Sequence, residues 1–257
     1  MRPVNEDSVL SVRPQDPGQL GRLGVLVLVA DGMGGAQGGE VASRIASETI
    51  SRDYYNSTSD PAKALKKSVE NAGKEIYRHA GKNRNLAGMG TTCVALVLRP
   101  PFAWAAWVGD SRLYLIRHKQ IFQMTEDHSI VREMVRRGML TTEEAGQHEG
   151  RNLVTRALGC HRKVEVAAWD QPFPVRHADR FLLCSDGLHD VVPDARILEL
   201  ADDGEVELAT ARLIEEAMRR GAQDNISAVL VEVAHQDLSK HPAPPTRDSR
   251  FPSEVSR

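Results

Sequence analysis

Short apolar runs recur along the chain and read as strands: 24–30 (GVLVLVA), 91–98 (TTCVALVL), 102–108 (FAWAAWV), 111–117 (SRLYLIR), 164–169 (VEVAAW), 180–184 (RFLLC) and 226–233 (ISAVLVEV). Several are apolar without interruption, the pattern of strands covered on both faces. Between them the apolar spacing lengthens to that of helices. Over 38–52, Val41, Ile45, Ala46 and Thr49 share one face. Over 61–79, Leu65, Val69, Ala72 and Ile76 do so, with Pro61 well placed near the start. Residues 129–137 and 205–220 are further amphipathic segments, the second with Val206, Leu208, Leu213 and Met218 as apolar positions.

The runs at 91–98, 102–108 and 111–117 are joined too tightly for parallel crossovers and should pair antiparallel. A strict βαβ alternation is absent, which argues against a doubly wound parallel sheet. The expected class is α+β, with helices layered on packed antiparallel sheets. Residues 138–159 are polar, glycine-punctuated and interrupt the strand series, as an inserted surface segment would. From about His235 the chain becomes proline-rich and aperiodic, so 235–257 is expected to be a disordered tail following a domain at 1–234.

Composition changes this picture little. With 257 residues, 41% hydrophobic and 26% charged, the chain has ample material for a core. A formal net charge of −2 gives no global basic field for nucleic acid. The three cysteines are widely spaced and form no CxxC pair, which fits a reducing compartment. No signal-like h-region opens the chain, and no apolar stretch approaches the roughly 20 residues of a membrane span. A soluble, cytoplasmic protein with no membrane or nucleic-acid partner is expected.

Acids at the ends of these runs carry the chemical signal. Glu6 and Asp7 stand in VNEDS, Asp31 in VADGMGG, Asp110 in WVGDSRLYL, Asp186 in LLCSDGL and Asp224 in QDNISAVL. Any one Asp-Gly or Asp-Asn after a strand is most simply a turn. Strands of one sheet pair, however, bring their ends to a common rim, where several carboxylates would raise one another's pKa unless cations neutralised them. An all-oxygen donor set, without His or Cys at zinc-like spacing, favours Mg²⁺ or Mn²⁺. The glycines after Asp31 would let backbone carbonyls approach such ions.

The ordered motifs RPVNED, VADGMGG, GTT, VGDSRLYL, SDGL and DNIS resemble those of the metal-dependent type 2C serine/threonine protein phosphatases in their compact bacterial form. The resemblance runs from residue 2 to about residue 233. It implies two packed antiparallel β-sheets flanked by α-helices, with a dinuclear Mn²⁺ or Mg²⁺ centre at one edge. Asp31 then corresponds to the acid bridging both ions. Glu6 and the Gly32 carbonyl correspond to ligands of one ion, and Asp186 and Asp224 to ligands of the other. Asp7 corresponds to the acid holding metal-bound water, and Asp110 to a ligand of a third, weaker ion. Arg2 corresponds to the arginine gripping substrate phosphate, and Asn225 to a supporting residue. The implied reaction is attack of a metal-bridging hydroxide on phosphoserine or phosphothreonine in proteins phosphorylated by Ser/Thr kinases, by a monomer. The 138–159 segment corresponds to the flap beside the active site. Two other readings compete: a phosphatase of small phosphoesters, and a catalytically impaired module that binds phosphoproteins.

Two features depart from the family pattern. Some relatives place a histidine, proposed as general acid, where this chain has Met33. His128 and His189 are available, although a lone histidine beside a turn is usually solvated or packed. Relatives also carry a strand before the arginine, whereas Met1 here directly precedes Arg2. Either the native chain starts upstream, which is the expectation, or this version lacks the first edge strand.

Overall fold

The computed structural model describes residues 4–34, 38–202 and 204–234. In chain order the first half comprises β1 (Ser8–Val12), α1 (Pro17–Leu23), β2 (Val25–Ala30), β3 (Gly32–Met33), α2 (Gly38–Tyr55), α3 (Pro61–Ala80), β4 (Gly90–Thr91), β5 (Cys93–Arg99) and β6 (Phe102–Val108). The second comprises β7 (Arg112–Arg117), β8 (Gln120–Gln123), α4 (Ile130–Arg136), α5 (Thr142–Gln147), β9 (Ala167–Ala168), β10 (Phe173–Pro174), β11 (Arg180–Cys184), α6 (Asp186–His189), α7 (Asp194–Ala201), α8 (Val206–Arg219) and β12 (Ala228–Glu232).

These elements form the expected four layers. One sheet runs β1-β2-β5-β6-β10, with β9 also on β6, and the other runs β12-β11-β7-β8. All their pairings are antiparallel. The two-residue side-chain period of a strand explains the layering. In β5, Cys93, Ala95 and Val97 join a core with α2 and α3, while Val94, Leu96 and Leu98 join a second core between the sheets. In β11, Phe181 and Leu183 face that inter-sheet core, while Leu182 and Cys184 face a third core under α7 and α8. Both central strands are thus buried on both faces, which is why their sequences carry no polar alternation.

The helix faces follow the sequence in part. Leu65, Val69, Ala72 and Ile76 of α3 are all buried, and Asp60 caps that helix through Lys63 N at 3.0 Å. In α8 the expected face is corrected in part: Leu213 is buried as expected, but Leu208 and Met218 are 64% and 51% exposed, and Ala209 and Ala217 are buried in their place. Ala209 and Ala217 flank Leu213 on the face turned to the third core, and Leu208 and Met218 fall outside it. The 164–169 run is strand only at Ala167–Ala168, and 138–159 contains α5, closed by a Thr141–Glu144 capping box. β1 lies at the edge of its sheet. Residues 1–3 and the 235–257 tail lie outside the described residues. No described helix is long and apolar enough to cross a membrane.

Phe181 is fully buried between the sheets and meets Phe173 edge-on at 6.4 Å. Phe181→Ala should lower unfolding free energy by about 3–5 kcal/mol in urea titration; a loss under about 1 kcal/mol would contradict the assignment of this residue to the inter-sheet core.

Candidate active site

Strand register gathers the acids at one edge. Ser8 faces Ala30, Val29 faces Val94 and Cys93 faces Val108, so the residues just beyond β1, β2 and β6 share one end of the first sheet. These are Glu6, Asp7, Asp31 and Asp110. In the second sheet Cys184 lies between Arg112 and Ala228, which puts Asp186 and the 224–227 turn at the end where the chain crosses from β6 to β7.

Hydrogen bonds from the flanking residues hold these ends in place. Thr92 Oγ1 accepts from the Asp31 amide at 3.1 Å, and Thr92 N and Thr91 Oγ1 donate to the Asp31 carbonyl at 2.9 and 2.8 Å. Ser185 Oγ donates to Asp7 Oδ2 at 3.0 Å and accepts from Ser227 N at 3.0 Å. Asn225 joins the chain's two ends: its Oδ1 accepts from Glu6 N at 2.9 Å and its Nδ2 donates to Val4 O at 3.2 Å. Ser43 Oγ donates to the Glu6 carbonyl at 2.6 Å. Gly32 is required by space, since a Cβ there would run into the backbone oxygens of Gly39 and Glu6. Thr92, Ser111 and Ser185 did not figure among the sequence candidates, although each lies within or beside a motif, GTT, GDSR or CSDG, that carried the resemblance.

The electrostatics match a crowded anionic rim. Asp31 is half-buried; desolvation, reinforced by Asp186, Asp7 and Asp110, pushes its carboxyl well above the usual range. The pKa of Asp186 is also raised, chiefly by desolvation. Desolvation likewise raises Asp7, with Asp186 and Asp224 adding repulsion. Asp110, 7% exposed, is pushed up to about 7 by burial and Asp186, against the opposing pull of His189. Asp7, Asp31, Asp110, Asp186 and Asp224 therefore form one interacting set. Glu6 is buried beside Gly32 and Gly39, while Arg2 lies outside the described residues.

The residues present fit divalent cations by donor type and by need. Asp7 Oδ1 and Asp186 Oδ1 are buried and have no hydrogen-bond partner, an arrangement that costs free energy unless a cation or water satisfies it. As the side chains stand, no three His, Cys, Asp or Glu residues among those described are grouped closely enough to hold an ion. The fit therefore rests on the hard oxygen donors and the two orphaned atoms rather than on a closed cage. A groove beside them is lined by Arg151, Asn152, Asp186, Asp190 and Asp224, which puts part of the 138–159 segment against the acidic edge.

The two histidines are packed. His128 Nδ1 accepts from Gly109 N at 3.0 Å, and burial, with Arg156 nearby, lowers its pKa to about 4. His189 Nε2 contacts the Asp110 carbonyl at 3.1 Å, and its side chain is 3% exposed. Met33 is on β3, paired with Gly90.

Folded-state pKa values raised above 3.8 mean that the unfolded chain binds fewer protons than the folded one between about pH 4 and the folded values, about 7 for Asp110. Stability of the chelated protein should consequently fall from pH 5 to pH 8. Mn²⁺ should raise the melting temperature more at pH 8 than at pH 5. A melting temperature that rises over this range in chelator would contradict the raised carboxylates.

Comparison with known proteins supports the same reading. The sequence matches the family described as Protein phosphatase 2C over residues 6–226. It is 39% identical to the serine/threonine phosphatase stp of Listeria innocua over 213 residues, 80% of this chain and 84% of that protein. It is 38% identical to the serine/threonine protein phosphatase PstP of Mycobacterium tuberculosis over 216 residues, 84% of this chain but 41% of that longer protein. The fold superposes on the crystal structure of the M. tuberculosis PstP/Ppp phosphatase with a TM-score of 0.79 at 35% identity, covering 91% of this chain and 94% of the other. A structure of the PstP catalytic domain in complex with two manganese ions gives a TM-score of 0.76 at 34% identity, with the same coverage. Four layers, an acidic edge and a match across most of its length agree: the chain belongs to the Protein phosphatase 2C family.

Proposed function

We propose that this protein hydrolyses phosphoserine and phosphothreonine in proteins, at the edge where Asp31 meets Asp7, Asp110, Asp186 and Asp224. The observation that carries the reading is that burial and mutual repulsion raise the pKa values of Asp7, Asp31, Asp110 and Asp186: a purely structural protein would gain nothing from gathering repelling acids at one rim. Divalent cations held by Glu6, the Gly32 carbonyl, Asp31, Asp186 and Asp224, with a weaker one at Asp110, would supply the charge that acidifies an attacking water and offsets the phosphoryl oxygens.

The chain's own groups define the rest. The Asp31 backbone is fixed by Thr91 and Thr92, which sets where its side chain leaves the end of β2. Asp7 is held by Ser185 through Oδ2, and its buried Oδ1, without a protein partner, would accept a hydrogen bond from water. Arg2 would grip the substrate phosphate through its guanidinium. In the overall reaction water oxygen bonds to phosphorus, the bond from phosphorus to the Ser or Thr oxygen breaks, and a water proton ends on the departing alcohol. Met33 cannot give that proton, and both histidines are engaged with the 109–110 backbone. The proton therefore comes from solvent within the site.

The catalytic domain spans 1–234, with 138–159 as a flap lining the groove that substrate protein enters. Steady-state release of phosphate from a phosphothreonine peptide should require Mn²⁺ or Mg²⁺. Asp31→Asn should reduce it to the level seen in chelator. Full activity in chelator, or in Asp31→Asn with metal, would overturn the proposal.

A further inference from the structure

The segment that carries His128 is attached on both sides to parts of the site. Its ring stacks on Trp107 with centroids 6.5 Å apart and planes 10° from parallel. Nδ1 accepts from Gly109 N at 3.0 Å, so Nδ1 is the unprotonated nitrogen, and His128 N donates back to Gly109 O at 2.9 Å. Gly109, at φ +102°, precedes Asp110, and a Cβ there would strike the Thr92 side chain at 2.7 Å. Thr92 Oγ1 in turn bonds Ser111 Oγ at 2.6 Å and the Asp31 amide at 3.1 Å. The Gly109–Ser111 turn is thus gripped by His128 on one side and by Thr92 on the other.

The carbonyl of His128 reaches the opposite way. It accepts from Thr155 N at 2.7 Å, next to a bridge between Ser129 and Val154 and a bond from Ile130 N to Leu153 O at 2.9 Å. Leu153, Val154 and Thr155 belong to the end of the 138–159 segment. One residue therefore holds the backbone of the acidic turn through its ring and amide, and the backbone of the flap through its carbonyl.

We propose that His128 is a positioning residue that fixes the Gly109–Asp110 turn and couples it mechanically to the 138–159 segment. The role of Asp110 as a cation ligand rests on the function proposed above; the mechanical coupling does not. A shift of the flap would be transmitted to Asp110 through two short backbone bonds and one ring nitrogen, with no diffusing messenger. His128 itself takes no part in the reaction.

Two substitutions separate the acceptor from the ring. His128→Phe keeps a ring to stack on Trp107 and removes Nδ1. His128→Asn gives up the ring and offers Oδ1 as a replacement acceptor at the same distance along the side chain. Amide hydrogen exchange in the metal-free protein is the primary readout. In His128→Phe the amides of Gly109 and Thr155 should exchange at least tenfold faster, while Leu96 in the central strand keeps its rate. In His128→Asn both should return toward the wild-type rate. The Mn²⁺ concentration for half-maximal phosphatase activity should rise several-fold in His128→Phe and recover in His128→Asn, with KM for peptide the less affected constant.

Unchanged exchange at Thr155 in His128→Phe would overturn the coupling. Equal acceleration at Gly109, Thr155 and Leu96 in both variants would also overturn it, because it would mark a role confined to global stability. If the wild-type protein binds no Mn²⁺, the functional reading fails, while the exchange pattern still decides the coupling.

Discussion

Bringing like charges together in partly desolvated protein is unfavourable, and this fold does so at the Asp31 edge. Each nearby carboxylate makes ionisation of the others harder, and loss of water makes it harder still. Asp31 feels Asp186, Asp7 and Asp110 together, and Asp110 titrates near 7. The rest of the structure can be understood as the scaffold needed to hold that arrangement. Without rigid supports, the acidic ends would splay toward solvent and recover their ordinary pKa values.

The supports are of two kinds. β2 and β11, each buried on both faces, fix where Asp31 and Asp186 emerge, because sliding either by one residue would turn its side chains into the wrong core. Short polar side chains then fix the chain just outside each strand. Thr91 and Thr92 hold Asp31, Ser185 holds Asp7, and Asn225 ties Glu6 to the turn before β12. These contacts link residues far apart in the chain, so the site exists only once both sheets have packed. Comparable groups in a flexible loop could not keep two buried carboxylate oxygens, on Asp7 and Asp186, without a protein partner.

Much of this was legible in the sequence, and the reasons differ by element. β2 is an unbroken apolar run ending in Asp31, so both the strand and its terminal acid stand out. β5, β6, β7 and β11 read equally well because covering both faces removes polar interruptions. β1 was missed: an edge strand with alternating half-exposed residues, SVLSV, has no such run. α7 and β8 are short and lie between stronger signals. In α8 the periodicity marks Leu213 correctly, but Leu208 and Met218 stay exposed while Ala209 and Ala217 are buried. The candidate acids were found because they sit at strand ends. Their supports, Thr92, Ser111 and Ser185, were not, since a hydroxyl's partner across the fold leaves no periodic trace.

The same logic extends to the two packed histidines near the site. His128 and His189 both spend a ring nitrogen on the backbone of residues 109–110, stiffening the turn that presents Asp110. With Met33 where a proton donor could stand, the proposed reaction would rely on carboxylates, cations and water.

Carboxyls with raised pKa values hold protons that bound cations would displace. Calorimetric titration of the chelator-stripped protein with Mn²⁺ at pH 6, repeated in buffers of different ionisation enthalpy, measures the protons exchanged on binding. Net proton release is expected, diminished in Asp31→Asn. Mn²⁺ binding with no proton release would contradict those raised values.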